Sequence, residues 1–94
     1  MSYSLLFKEE ALKEWGKLDA GIREPFKKKL QERIEKPHVE SSRLRGMVDC
    51  YKIKLRGVGY RLVYQVRDKE LLVVVIAIGK RDKNHVYKIA TNRL

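Results

Sequence analysis

Five basic side chains carry most of the chemistry that this sequence can offer. In YKIKLR, residues 51–56, strand alternation puts Lys52, Lys54 and Arg56 on one face and Tyr51, Ile53 and Leu55 on the other. Gly57-Val58-Gly59 supplies a turn with two flexible positions, and a hairpin closed there can bring Arg61 to the face of Lys52 and Lys54. Arg81 arrives at the end of the next strand. No Asp or Glu occurs between Tyr51 and Arg67. Like charges set close on a sheet cost stability unless something compensates them. A phosphate does so, because Arg grips two of its oxygens while Lys acts as a point charge. For any single residue, the simpler account is an exposed cation that discourages edge pairing. The set together points to an anion site.

Other chemistries find less support. Two histidines, His38 and His85, and one cysteine lie too scattered among few acids for a metal cluster, and no metal or other cofactor is expected. Cys50, at a strand start, reads as a small packing residue with no recognisable base beside it, and as the only cysteine it excludes an internal disulfide. Gly57-Val58-Gly59 joins two strands instead of opening a helix, so it is not a phosphate-cradling loop. His85 is the only imidazole in the basic half, with an exposed tail histidine as its plainer reading. Tyr87 offers a phenol whose ionised form neighbouring cations would stabilise. Tyr51, Tyr60 and Tyr64 read as sheet packing.

The elements that must position these residues follow from periodicity. Tyr3, Leu5 and Phe7 alternate as an opening strand. From Glu9 the spacing becomes helical, with Ala11, Leu12, Trp15 and Leu18 inward and two acids at the N-terminus. Asp19 is placed to cap a second helix, in which Ile22, Phe26, Leu30, Arg33 and Ile34 recur and Lys27, Lys28 and Lys29 point mostly outward. Pro25 removes a backbone donor, which predicts a kink or a late start, and Lys36-Pro37 ends the helix. Residues 37–49 read as a loop with Leu44 turned inward and Gly46 at a turn. Strands are expected at 50–56, 60–67 and 71–78. The last, LLVVVIAI, is apolar on both faces, as a covered central strand would be. The tail, residues 82–94, reads as a short, loosely packed helix. Two leading helices on one sheet face leave the basic face for solvent or a ligand, an α+β two-layer sandwich.

Charge and length set the frame. Ninety-four residues make one domain, 1–94, with no room for a second core. The formal net charge is +10. Residues 1–40 hold nine basic and eight acidic side chains, whereas residues 41–94 hold thirteen and four. The excess therefore sits with the strands, as expected for a polyanionic partner. The opening apolar run is too short for a signal peptide and nothing later approaches a membrane span, so a cytoplasmic protein with no membrane partner is expected.

The stretches SRLRGMVDCYKIKLR, GYRLVYQV, VIAIGKR and EALKEWGKL together resemble the RelE family of bacterial toxins, and the likeness covers nearly the whole chain. The resemblance implies a microbial-RNase-like fold, with two N-terminal helices on one face of a small, mainly antiparallel four-stranded sheet and a short C-terminal helix. It implies a toxin of a type II toxin–antitoxin system that cuts messenger RNA in the A site of the 70S ribosome. Its partners would be a RelB-like antitoxin and, through that complex, operator DNA of its own promoter. The implied cleavage is metal-independent: the ribose 2′-oxygen attacks the adjacent phosphate, leaving a 2′,3′-cyclic phosphate and a 5′-hydroxyl. By the same resemblance the catalytic set is Lys52, Lys54, Arg61, Arg81 and Tyr87. RNA or ribosome contacts would come from Arg45, Lys52, Lys54, Arg56, Lys80 and Lys83.

Such an attack requires proton removal, charge stabilisation on the phosphorane and protonation of the leaving oxygen. Arg61, forked and permanently charged, suits the non-bridging oxygens, and Arg81 is implied near the leaving oxygen. Arg81 would be a poor literal acid because its proton is held too tightly. Tyr87 is the candidate base, although a crowded lysine could move the proton instead. Lacking two histidines or a carboxylate, the site would depend on substrate positioning, worth up to roughly 7–11 kcal/mol. The competing reading is a non-catalytic basic module that only holds nucleic-acid phosphates.

Overall fold

The computed structural model describes residues 2–80 and 85–94. Strand β1 (Ser4–Phe7) leads into helices α1 (Glu9–Gly16) and α2 (Ala20–Glu35), and a loop with one 3₁₀ turn then reaches β2 (Cys50–Leu55). Strands β3 (Tyr60–Arg67) and β4 (Leu72–Lys80) and helix α3 (His85–Arg93) complete the chain. The sheet order is β1-β4-β3-β2, with β1 parallel to β4 and the other pairs antiparallel. The all-apolar strand is thus central, as its two-faced pattern requires. Among the described residues no helix is long and apolar enough to cross a membrane.

Local chemistry explains the element ends. Glu9 and Glu10 sit in the first turn of α1. The Asp19 side chain accepts from the Ile22 amide at 3.2 Å and caps α2. Against the alternative of a late start, α2 begins at Ala20 and runs through Pro25. Pro25 has no amide hydrogen for the carbonyl of Gly21 four residues back, a tolerable loss where Gly21 is exposed near the helix start. Gly59, with φ 68°, closes the β2–β3 hairpin, and Gly46, with φ 76°, turns the preceding loop.

Two cores form, one on each sheet face. Ala11, Leu18, Phe26 and Leu30 cover Tyr51, Ile53, Leu62, Tyr64, Val73 and Val75. Leu12 stays 54% exposed, so the inward stripe of α1 is narrower than its spacing predicts. On the opposite face Val86 and Ala90 of α3 pack with Val63, Val74, Ile76 and Ala77. The tail is therefore a firmly docked helix, contrary to a loose one, and it covers part of the face expected to be free. Its far end is tied to α1: Arg93 donates to both Glu14 carboxylate oxygens at 2.8 and 3.1 Å, and to the Ile76 carbonyl at 2.9 Å. Glu14 also accepts from the Ile78 amide at 3.1 Å.

A bulge decides what the end of β4 faces. Val63 pairs with Ala77 but Tyr64 with Val75, so Ile76 is an extra residue. Ile76 and Ala77 both serve the α3 core, and Ile78 returns to the other one. Gly79 then lies under α3, where an added Cβ would sit 3.7 Å from Val86.

Candidate active site

The hairpin register builds the cationic cluster. Lys54 pairs directly with Arg61 and Lys52 with Val63, so Lys52, Lys54 and Arg61 share one face. Arg61 is half-buried because α3 crosses beside it, whereas Lys54 is exposed. Tyr87 projects from the first turn of α3, and its hydroxyl accepts from Arg61 Nη1 at 3.0 Å. The Arg61 guanidinium also lies 5.6 Å from the centre of the Tyr87 ring. The contact joins a residue of β3 to one 26 positions later in the chain, and it depends on α3 being docked.

Electrostatics mark Lys54 as the crowded cation. Its ammonium is held below the ordinary value of 10.5 mainly by Lys52, then by Arg61, by partial desolvation and by Arg56. Lys54, Arg56, Tyr60 and Arg61 line a groove of about 290 Å³. The chemical capacity of this arrangement is to hold an anion between forked and point-like cations, next to a phenol oxygen that already accepts from one of them.

The other sequence candidates distribute as follows. Arg56 lies just past β2, exposed on the rim of that groove. Arg45 lies in a separate groove of about 600 Å³ with Glu40, Arg43 and Met47. Lys80 pairs with Tyr60, so it shares the face opposite Arg61, a consequence of the bulge. Arg81 and Lys83 lie outside the described residues. His85 opens α3 and is exposed. Cys50 is fully buried and donates weakly to the Val48 carbonyl at 3.5 Å. Burial, then the charge of Asp49, pushes its thiol up to about 11, in keeping with a packing role.

Two features escape a strand-parity reading. Arg33 of α2 reaches the free edge of β2, donating to the Tyr64 hydroxyl at 2.8 Å and the Lys52 carbonyl at 3.3 Å. The available signal is a cation standing in the inward stripe Ile22, Phe26, Leu30 and Ile34. The second is a chain of hydrogen bonds in which Asp68 accepts from Tyr3 at 2.6 Å and pairs with His38 at 2.7 Å. His38 in turn meets the Tyr51 hydroxyl at 2.9 Å. No local pattern links positions 3, 38, 51 and 68.

The sequence matches the family of ParE toxins of type II toxin–antitoxin systems (parDE) over residues 5–85. It is 56% identical over 94 residues to the mRNA interferase toxin RelE of Escherichia coli strain K12, covering 100% of this chain and 99% of that one. The structure of a double-arginine mutant of E. coli toxin RelE in the free state superposes with a TM-score of 0.92, at 55% identity over 100% of this chain and 99% of that chain. RelE in the intact E. coli RelBE toxin–antitoxin complex gives 0.84, at 57% identity over 87% of this chain and 100% of that one.

Proposed function

The chain belongs to the RelE/ParE family of type II toxins, and from that premise we propose that it is an mRNA interferase acting on the ribosome. It cuts messenger in the A site without a metal and thereby stops translation. A RelB-like antitoxin restrains it, and the pair represses its own operon by binding operator DNA. The site of action is the cytoplasm. Support comes from a full-length relative named as an mRNA interferase and from the RelE–RelB assembly of a close structural neighbour.

The observation that carries the catalytic reading is the hydrogen bond from Arg61 to Tyr87 beside Lys54. The guanidinium donates to the phenol oxygen and so holds that oxygen beside the cations, where it can face the 2′-hydroxyl proton. Once the 2′-oxygen attacks, charge develops on the non-bridging oxygens, where Arg61 and Lys54 can meet it. Lys52 adds positive field from the same face. Arg81 is assigned to the leaving 5′-oxygen, which it stabilises by charge while the crowded Lys54 ammonium gives that oxygen a proton and is recharged from solvent. Arg56 and Arg45 are assigned to RNA or ribosome backbone, together with Lys80 and Lys83. Arg45 lies in a different groove from Lys54 and Arg61, which suits contact with the ribosome more than with the scissile phosphate.

The test is induced expression in bacteria, with messenger ends mapped on translated and untranslated versions of one transcript. Cuts are expected only on the translated version and are lost with Tyr87→Phe while ribosome association persists. Cuts on the untranslated version would overturn the A-site reading. Undiminished cutting by Tyr87→Phe would leave a binding module that holds phosphates without transforming them.

A further inference from the structure

The cationic face does not stop at the free edge of β2. A second groove, of about 450 Å³, opens there between β2 and the C-terminal half of α2. Lys29 and Arg33 form its helix wall, Lys52 and Lys54 its strand wall, and Ser41 and Ser42 its floor. It shares Lys54 and Arg56 with the groove that holds Arg61, so the two are continuous. No carboxylate lines it among the described residues.

Arg33 is the unusual member. It stands in the inward stripe of α2, half-buried, with its guanidinium 5.7 Å from the Tyr64 ring centre. Its hydrogen bonds go to neutral acceptors: the Tyr64 hydroxyl, the Lys52 carbonyl and the Ser42 hydroxyl. Among the described residues it has no acidic partner. A partly desolvated guanidinium without a counter-ion is costly unless an anion completes it. Lys29, one helical turn earlier on the same side of α2, makes no hydrogen bond among the described residues and is available to that anion.

We propose that this groove is a second phosphate site, in which Lys29 and Arg33 hold an RNA phosphodiester next to the one held at Arg61. The site deepens the interferase reading and rests on it for the identity of the ligand as RNA. Two strands could supply the phosphate, the messenger itself or ribosomal RNA at the A site. Either would run across the β2 edge from the Arg61 groove toward α2.

The test compares Lys29→Glu and Arg33→Lys with Lys17→Glu, a charge-matched change on exposed surface outside the groove. Binding is measured to a 2′-O-methyl RNA oligonucleotide, which cannot be cut because its 2′-oxygen is blocked, and separately to ribosomes carrying no messenger. Lys29→Glu is expected to weaken binding roughly tenfold and to flatten the salt dependence by about one unit of slope. Arg33→Lys, which keeps the charge but loses the fork, is expected to weaken it less. A loss on the oligonucleotide assigns the phosphate to messenger, and a loss on ribosomes alone assigns it to ribosomal RNA. If Lys29→Glu matches Lys17→Glu in both arms, the proposal falls. It falls equally if only binding of the antitoxin weakens, since the groove would then be a seat for an acidic peptide. Cutting by Tyr87→Phe reports on the chemistry independently, so loss of the catalytic reading would leave the groove's binding result intact.

Discussion

A single side chain, Lys54, concentrates the electrostatic logic of the site. Lys52, Arg61 and Arg56 disfavour its charged form, so it releases its proton below the ordinary value of 10.5. A bound phosphate reverses that bias, so binding takes up a proton. The Lys54 contribution to RNA affinity is therefore full below the free-state value and is lost as pH rises from there through the higher bound-state value. We expect the alkaline loss of oligonucleotide binding to begin at a lower pH than for an isolated lysine. Arg61→Ala, by removing one repelling neighbour, should move that onset upward; a titration followed on the Lys54 side chain by NMR checks both. Tyr64 makes a different kind of prediction. Its buried hydroxyl donates to the Pro37 carbonyl at 2.8 Å while accepting from Arg33. Tyr64→Phe removes two hydrogen bonds, although the Pro37 carbonyl keeps the Val39 amide and Arg33 keeps Lys52 and Ser42, and is expected to cost about 1–3 kcal/mol in urea unfolding. Burial raises the Tyr64 phenol above 10.0 despite the opposing Arg33. Its contribution is full below that pH and is lost above it, so the variant should show a shallower alkaline decline in stability.

Among the elements, α3 has the most to hold in place. It carries Tyr87 at one end, buries Val86 and Ala90, and is tied at the other end by Arg93 to Glu14. Lys8 reinforces the tie by donating to the Arg93 carbonyl at 2.7 Å. Glu14 has two duties, since it also satisfies the Ile78 amide of β4. Glu14→Ala therefore removes a charged pair and strands a backbone donor, an expected cost of about 2–3 kcal/mol. Glu14→Gln keeps an acceptor for Ile78 and should cost less. Hydrogen exchange is the discriminating measurement: α3 amides should lose protection in Glu14→Ala well before those of β3. Cutting should fall with them, because Arg61 meets Tyr87 only while α3 is docked.

For the molecule as a whole, charge and catalysis divide the labour. The two leading helices belong to the nearly balanced half, and the strands and tail carry the basic excess. The helical side closes one core, and the other side offers phosphate-binding surface beyond the second core that α3 closes. Among the described residues the candidate site joins a phenol to strong cations with no carboxylate lining its groove, which leaves much of the proposed rate to substrate positioning. On that basis free RNA should be cut far more slowly than messenger held on ribosomes at the same protein concentration. Comparable rates on the two substrates, measured by single-turnover cleavage, would contradict this. Binding should also weaken steeply with salt, since it releases counterions from the RNA.

Much of this was legible from residue order alone. Alternation placed Lys52 and Lys54 together, the glycine-flanked turn returned Arg61 to them, and an apolar run on both faces announced β4 as central. Those features are local: each depends on periods of two or on a turn a few residues long. Four outcomes were not local. The bulge at Ile76 shifted the parity of β4 and sent Lys80 to the face away from Arg61. The docking of α3 joined Tyr87 to Arg61 and covered a sheet face that two helices alone leave open. Arg33 found acceptors on two strands, 19 and 31 residues away, and Tyr3 met Asp68 across 65. Such contacts depend on packing between elements, where one extra residue or one buried methyl resets which side chains meet. The sequence by itself determined the cationic hairpin; only the tertiary structure decided which groups stand beside it.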